Sequence, residues 1–339
     1  MGVTLDDIAK KANVSPSTVS RVITNNPSIS ESTRKKVLKI MKELDYQPNM
    51  VARSLANKST RTIGIVVSAK TVGALHKVFQ FPSTSEILGG LSVTAYKNKY
   101  NVLLTSLNLQ DDDIAKIREL ATGGVTDGII YCYSRVEDPI ITELTRLKVP
   151  FVVIGKPTGE NGVNWVDNDN FLASYQMTEL LIKKGRKKIA FVGASPNFVI
   201  SVDKVEGYKK ALSDYSLPID ETLIIGGKFI TGNGYEFMEE VFQQGIEFDG
   251  VVAQNDQVAF GAIKRIEESG FKVPDDISVV GFNNVPVSEF YVPPLTTMEM
   301  NSFQVGEKAC ELLLSCINNK DSSFARTIVS SEIIIRDSI

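Results

Sequence analysis

The 339-residue chain has a single histidine, a single tryptophan and three cysteines. One histidine (His76) removes histidine-based catalytic triads and histidine metal sites from consideration, and no acidic cluster stands near it to compensate. Cys132, Cys310 and Cys316 are an odd, scattered set without C-x-x-C spacing, as expected of reduced thiols. Cys132 lies in the apolar run I-I-Y-C-Y and reads as a small buried hydrophobe, not a nucleophile. No apolar run approaches the roughly 20 residues a bilayer demands. An apolar signal-peptide core is also missing, so the expectation is a cytoplasmic protein without a membrane partner. Neither a Walker P-loop nor a G-x-G-x-x-G turn occurs, which speaks against a nucleotide-dependent or sugar-processing enzyme. No catalytic residue, metal or cofactor is therefore expected.

What is present is a soluble globular composition, 43% hydrophobic and 23% charged. The net charge of −3 hides an asymmetry. Residues 1–61 carry 11 Lys+Arg against 5 Asp+Glu, and the remainder carries 26 against 35. A basic head on an acidic body places a polyanion-binding surface at the N-terminus.

That head opens T-L-D-D-I-A-K-K-A-N-V-S-P-S-T-V-S-R-V. Thr4 and Asp7 have the spacing of a capping box, and Ile8, Ala9 and Ala12 form an apolar face at helical period. Asn13 suits a left-handed helix end. Ser15 reads as the next N-cap, with Pro16 at the first helical position. The second helix turns Ser17, Thr18, Ser20 and Arg21 outward and keeps Val19 and Val22 for packing. Small polar side chains and an arginine at a helix start suit phosphates and base edges. A third helix is expected over about 31–44, capped by Ser30 and buried through Val37, Leu38, Met41 and Leu44. Asn49 can cap a short helix reaching Asn57. Two turns do not persist alone in water, so this linker is expected to order on DNA or against a partner helix.

From Thr62 the pattern becomes short apolar strands alternating with helices, an α/β body of doubly wound parallel sheets. Strand ends carry Ser68, Gly155, Lys156, Asn255, Asp256, Asn283 and Asn284, hydrogen-bonding groups suited to hydroxyl-rich ligands. The run is too long for one sheet, and two lobes with a cleft fit better. The Gly/Pro/Asn-rich segment 157–165 and the segment 287–294 are the candidate crossovers.

Five ordered motifs make a resemblance explicit. They are the head motif above, L-D-Y-Q-P-N-M-V-A-R-S-L, N-D-Q-V-A-F-G-A, D-I-S-V-V-G-F and P-P-L-T-T. Together they resemble the lactose-repressor family of bacterial transcription factors over essentially the whole chain. The resemblance implies a helix-turn-helix head (1–47), a hinge helix (48–61) and a two-lobed periplasmic-binding-protein-like core (62–339). The N-lobe would take about 62–160 and 295–318, and the C-lobe about 161–290 and 319–339. It implies a homodimer on double-stranded, pseudo-palindromic operator DNA. Pro16 and Ser17 then read bases, Arg21 contacts the major groove, and Thr4, Ser15, Thr18 and Ser20 serve phosphates or caps. Asn49 and Ala52 fall in the minor-groove hinge, with Leu55 as the wedge that opens a base step.

For the cleft, the resemblance assigns effector contacts to Ser68, Trp165, Lys204, Phe229, Asn255 and Asn283. Three positions depart from the family pattern: Thr24 where asparagine is frequent, Lys204 where arginine is usual, and Asn283 where aspartate is usual. The last two remove a forked arginine–aspartate pair. The stretch F-V-V-I-G-K-P followed by W-V-D-N-D-N is similar to maltose-sensing members, which makes maltose or a related α-glucoside the expected sugar effector. The alternative within the family is a global catabolite regulator answering to a phosphorylated carrier protein.

Overall fold

The computed structural model describes residues 3–24, 26–46, 59–68, 82–107, 113–132, 134–159, 162–227, 234–318 and 324–339. The expected hinge helix, with Asn49, Ala52 and Leu55, lies outside the described residues, as do His76 and Phe229.

The head is three helices: α1 (Leu5–Ala12), α2 (Pro16–Ile23) and α3 (Glu31–Glu43). Each boundary follows from local chemistry. Thr4 and Asp7 close a reciprocal capping box, and Asn13 ends α1 at φ 52°. Ser15 accepts from the Thr18 amide ahead of Pro16, and Ser30 caps α3 through the Thr33 amide. The core joins Ile8, Ala9, Ala12, Val19, Val22, Val37, Ile40 and Met41. The expected α3 face is corrected by one position, because Leu38 is 48% exposed and Ile40 takes its place. Val37, Ile40 and Met41 keep the 3–4 spacing of one helix face.

The body alternates strand and helix as β1 (Thr62–Ser68), α4 (Pro82–Lys97), β2 (Asn101–Leu107), α5 (Asp113–Thr122), β3 (Gly128–Cys132), α6 (Pro139–Leu147) and β4 (Phe151–Ile154). It continues through β5 (Trp165–Asn168), α7 (Asn170–Lys183), β6 (Ile189–Ala194), α8 (Val199–Asp214), β7 (Ile224–Gly226), α9 (Gly234–Gln243) and β8 (Gly250–Ala253). The last stretch is α10 (Asp256–Glu268), β9 (Ser278–Phe282), α11 (Val287–Phe290), β10 (Thr296–Glu299), α12 (Ser302–Asn318), β11 (Arg326–Val329) and β12 (Glu332–Ile334). Two six-stranded sheets result, ordered β11-β5-β4-β3-β1-β2 and β12-β10-β9-β8-β6-β7. All ladders are parallel except β10–β12. β3 and β8 are buried along their whole length, as expected of parallel strands covered on both faces. Among the described residues no helix is long and apolar enough to cross a membrane.

The sheets correct the expected lobe boundaries. β5 stays in the N-lobe sheet, β10 belongs to the C-lobe sheet, and β11 returns to the N-lobe before β12 re-enters the C-lobe. The chain therefore crosses between lobes just after β5, β10 and β11, not at 161, 295 and 319. The breaker-rich segments 157–165 and 287–294 are connections inside one lobe. Glycine and proline mark where a strand stops, but they do not say to which sheet the next strand belongs.

Each crossing is held by asparagine. Asn168 Nδ2 donates to Met300 O and to Val329 O, both at 2.9 Å, so one side chain ties the three crossings together. Asn301 Nδ2 donates to Ser330 O at 2.9 Å. The lobes also touch through the loops after β3 and β6, where Val136 N donates to Asn197 O at 3.1 Å.

Candidate functional site

In the head, Ser15, Pro16, Ser17 and Arg21 are exposed and Thr18 and Ser20 are half-buried. Ser17 and Arg21 stand one helical turn apart on a face pinned by Val19 and Val22 beneath it. Ser15 Oγ lies 2.7 Å from Ser17 Oγ and 2.9 Å from Thr18 Oγ1, a hydroxyl cluster over the positive end of α2. Such a surface can meet phosphate and base edges together. Thr4 is exposed but engaged with Asp7, its hydroxyl 2.7 Å from Asp7 Oδ2. The Thr24 hydroxyl is turned onto its own helix, donating to Ser20 O at 3.1 Å.

The chain enters the body through an anchor that sequence reasoning missed. Asp127, just before β3, accepts from Ser59 Oγ (2.5 Å), Thr60 N (2.6 Å), Thr60 Oγ1 (2.8 Å) and Arg61 N (3.1 Å). Burial alone would raise the Asp127 carboxyl, but these donors hold it below the ordinary aspartate value. The last residues of the expected linker, 59–61, are thus clamped to the N-lobe.

At the strand ends of the C-lobe Lys204 reaches the residues that immediately precede Asn255 and Asn283. Lys204, on α8, is 2% exposed. Its Nζ donates to Gln254 O at 2.9 Å and lies 3.9 Å from the centre of the Phe282 ring. Those two partners immediately precede Asn255 and Asn283. Burial drives the Lys204 ammonium down to about 7, against the pull of Asp256 and Asp167. Asp256 accepts from Val285 N (2.9 Å), Ser288 Oγ (2.8 Å) and Thr297 Oγ1 (2.5 Å). Burial raises its carboxyl to about 6. Asp256 on α10 and Asp167 on β5 both act on the buried ammonium through space, with Asn283 in the usual aspartate position. Asn255 caps α10, its Oδ1 accepting from Val258 N at 3.0 Å. Asn283 sits at φ 98°, a conformation asparagine tolerates better than most side chains. Ser68 ends β1.

Trp165 is placed elsewhere. It belongs to the N-lobe cluster shared by α5 and α6 and is 5% exposed. It walls a groove of about 290 Å³ at the lobe junction, with Lys156, Asn168, Phe171, Asp203 and Ile328. Lys204, Asn255 and Asn283 do not line that groove. Next to Trp165 on the same strand face, Asp167 accepts from Lys156 N (2.8 Å), Asn168 N (2.8 Å) and Asn170 Nδ2 (3.0 Å). Burial pushes this carboxyl up to about 6. The run D-N-D-N at 167–170 was the available signal for this polar junction. Cys132 and Cys310 are buried, with thiols pushed up to about 12 by burial, which makes them inert at neutral pH. Among the described residues no group of three His, Cys, Asp or Glu is arranged to hold a metal.

An exposed polar helix on a three-helix head and a two-lobed body with polar strand ends are the parts of a transcription regulator. Residues 4–49 match the bacterial regulatory proteins of the lacI family, and residues 178–339 match a periplasmic binding protein-like domain. The HTH-type transcriptional regulator MalR of Streptococcus pneumoniae is 34% identical, the match covering 95% of each chain. The lac repressor dimer bound to operator and an anti-inducer superposes with a TM-score of 0.85 at 26% identity, covering 100% of this chain and 99% of that one. A transcriptional regulator CelR–cellobiose complex superposes with a TM-score of 0.77 at 29% identity, covering 99% of both. The chain belongs to the lacI family, a family of transcription regulators and not of enzymes.

Proposed function

We propose that the protein is a cytoplasmic, homodimeric repressor of a pseudo-palindromic operator, released or tightened by a small sugar bound between the lobes. Maltose or a related α-glucoside is the effector we favour, on the similarity to MalR. The single observation carrying the reading is the pairing of exposed Pro16, Ser17 and Arg21 with a buried and half-buried polar set at the C-lobe strand ends. There Asn255 and Asn283 both donate and accept, the pattern a sugar hydroxyl uses, and Lys204, held by Gln254 O, backs the strands that carry them.

The mechanism follows from the connections. A sugar that favours one lobe angle over the other shifts the balance between two states. The Asp127 clamp carries an N-lobe movement to residues 59–61, the end of the linker that holds Asn49, Ala52 and Leu55. Paired linkers then gain or lose their minor-groove grip. Operator gel shifts across a sugar panel test the effector, with maltose expected to change the midpoint and lactose not. A midpoint unmoved by any α-glucoside removes the maltose reading. Arg21→Ala should lower the preference for operator over random DNA by about 1–3 kcal/mol at fixed salt. An unchanged ratio rules out base reading by Arg21.

A further inference from the structure

A second tie between the lobes stands apart from the crossings. Val136 N, in the loop after β3, donates to Asn197 O at 3.1 Å, and Val199 N, at the start of α8, donates to Ser134 O at 3.5 Å. The two bonds run in opposite directions across the junction and make an antiparallel bridge between Arg135 and Phe198. This fragment of sheet, one residue pair long, joins lobes whose own sheets are separate. The strand orders locate it. β3 lies two strands from β5, and β6 three strands from β10, so the bridge stands about 10–15 Å from the crossings at the usual strand spacing. The ends of β4, β8 and β9, which lead into Gly155, Asn255 and Asn283, fall between the two ties.

The N-lobe side of the bridge is braced. Ser134 Oγ donates to Lys156 O at 2.8 Å, Arg135 N to Asp138 Oδ2 at 3.1 Å and Glu137 N to Thr158 Oγ1 at 3.1 Å. The C-lobe side is the first turn of α8, the helix that carries Lys204. The contact is also imperfect. Arg135 Nε and Ser195 Oγ, one beside the bridge in each lobe, are buried without a hydrogen-bond partner. Arg135 Nε stands 3.7 Å from Asp138 Oδ2, too far for a hydrogen bond. Water can satisfy both atoms once the loops part, whereas joining the loops gains two backbone bonds and leaves both atoms unmet. Gain and loss are of comparable size, which makes the contact reversible. We propose that residues 134–136 and 197–199 form a latch across the mouth of the cleft, whose opening admits a ligand to the strand ends fenced between latch and crossings. What enters is supplied by the function proposed above, whereas the latch is tested without any sugar, so either can fail alone.

Val199 is the first residue of α8, where proline is favoured, and Phe198 at φ −121°, ψ 128° suits a residue before proline. Val199→Pro therefore deletes one latch bond at little cost to the helix, and Val199→Thr keeps the N–H. Amide hydrogen exchange in the full chain should find Val136 N protected in the wild type and in Val199→Thr, and about tenfold faster in Val199→Pro. Ile129 N, bonded to Pro150 O inside the N-lobe, is the reference and should not change. The reciprocal variant Val136→Pro, read at the Val199 amide, should give the same acceleration, with thermal melts verifying that each variant is folded. Val136 exchanging as fast as an exposed amide in the wild type overturns the latch, as does protection that persists in Val199→Pro. Equal acceleration at Ile129 assigns the effect to general loosening and overturns it too.

Discussion

The two lobes are built to one plan, β2-β1-β3-β4-β5-β11 against β7-β6-β8-β9-β10-β12, and each packs a helix pair through glycine. In the N-lobe, a Cβ on Gly90 or Gly306 would come 2.1 Å from the backbone oxygen of Phe303 or Ile87, across the α4–α12 contact. In the C-lobe, a Cβ on Gly207 would come 2.1 Å from Phe171 O across α7–α8. The lobes part company in their buried charge. N-lobe carboxylates cap and anchor: Asp138 caps α6 through Ile140 N and receives the Tyr131 hydroxyl at 2.8 Å, and Asp127 clamps the entering chain. The C-lobe instead buries a cation, Lys204, beside Asp256 at its strand ends. The N-lobe carboxylates hold backbone and hydroxyl donors, and the C-lobe keeps a buried ionisable lysine at its strand ends.

The sharpest way to break this comparison is Asp256→Ala. It leaves three buried donors without their acceptor, and should destabilise the body by about 3–5 kcal/mol in urea titrations. A loss no larger than that of Asp127→Ala would erase the distinction between the lobes. Next come the shared glycines. Gly90→Ala and Gly207→Ala should each cost about 1–3 kcal/mol by overpacking against backbone, read as matched falls in melting temperature. Unequal falls would mean that the two helix pairs are not equivalent. Asp127→Ala is expected to cost about 1–2 kcal/mol of stability. It should also blunt the sugar response in gel shifts, because the linker loses its clamp.

A further test of the comparison is in pH. The Lys204 pKa is depressed in the folded chain, so between about 7 and the ordinary lysine value of 10.5 the unfolded chain binds the extra proton. Its stabilising contribution is present above that window and lost as pH falls through about 7. Lys204→Met should flatten this slope in melts recorded across the window. The raised Asp167 and Asp256 act lower down, with a contribution full below the ordinary aspartate value and lost as pH rises through about 6.

The head was almost wholly legible, because capping and helical period are local: Thr4, Asn13, Ser15 and Ser30 all act where their spacing predicts. The exchange of Leu38 for Ile40 is one position on a helix face, decided by where α1 and α2 lean. The α/β alternation of the body was legible for the same reason. Its crossings were not, since Asn168 reaches Met300 and Val329 across more than 130 residues of sequence. Nor was the placing of Trp165, whose neighbours come from both lobes.

The sequence by itself determined the helix boundaries, the basic head, the parallel-strand body and the kinship of the chain, all properties written in adjacent residues. Only the tertiary structure decided which sheet β5, β10 and β11 join, that Asp127 grips the entering chain, and that Lys204 is buried against Gln254 O and the Phe282 ring. Those outcomes depend on strands finding neighbours far along the chain, and on burial. Burial sets whether a lysine is an ordinary surface charge or a group poised near neutrality.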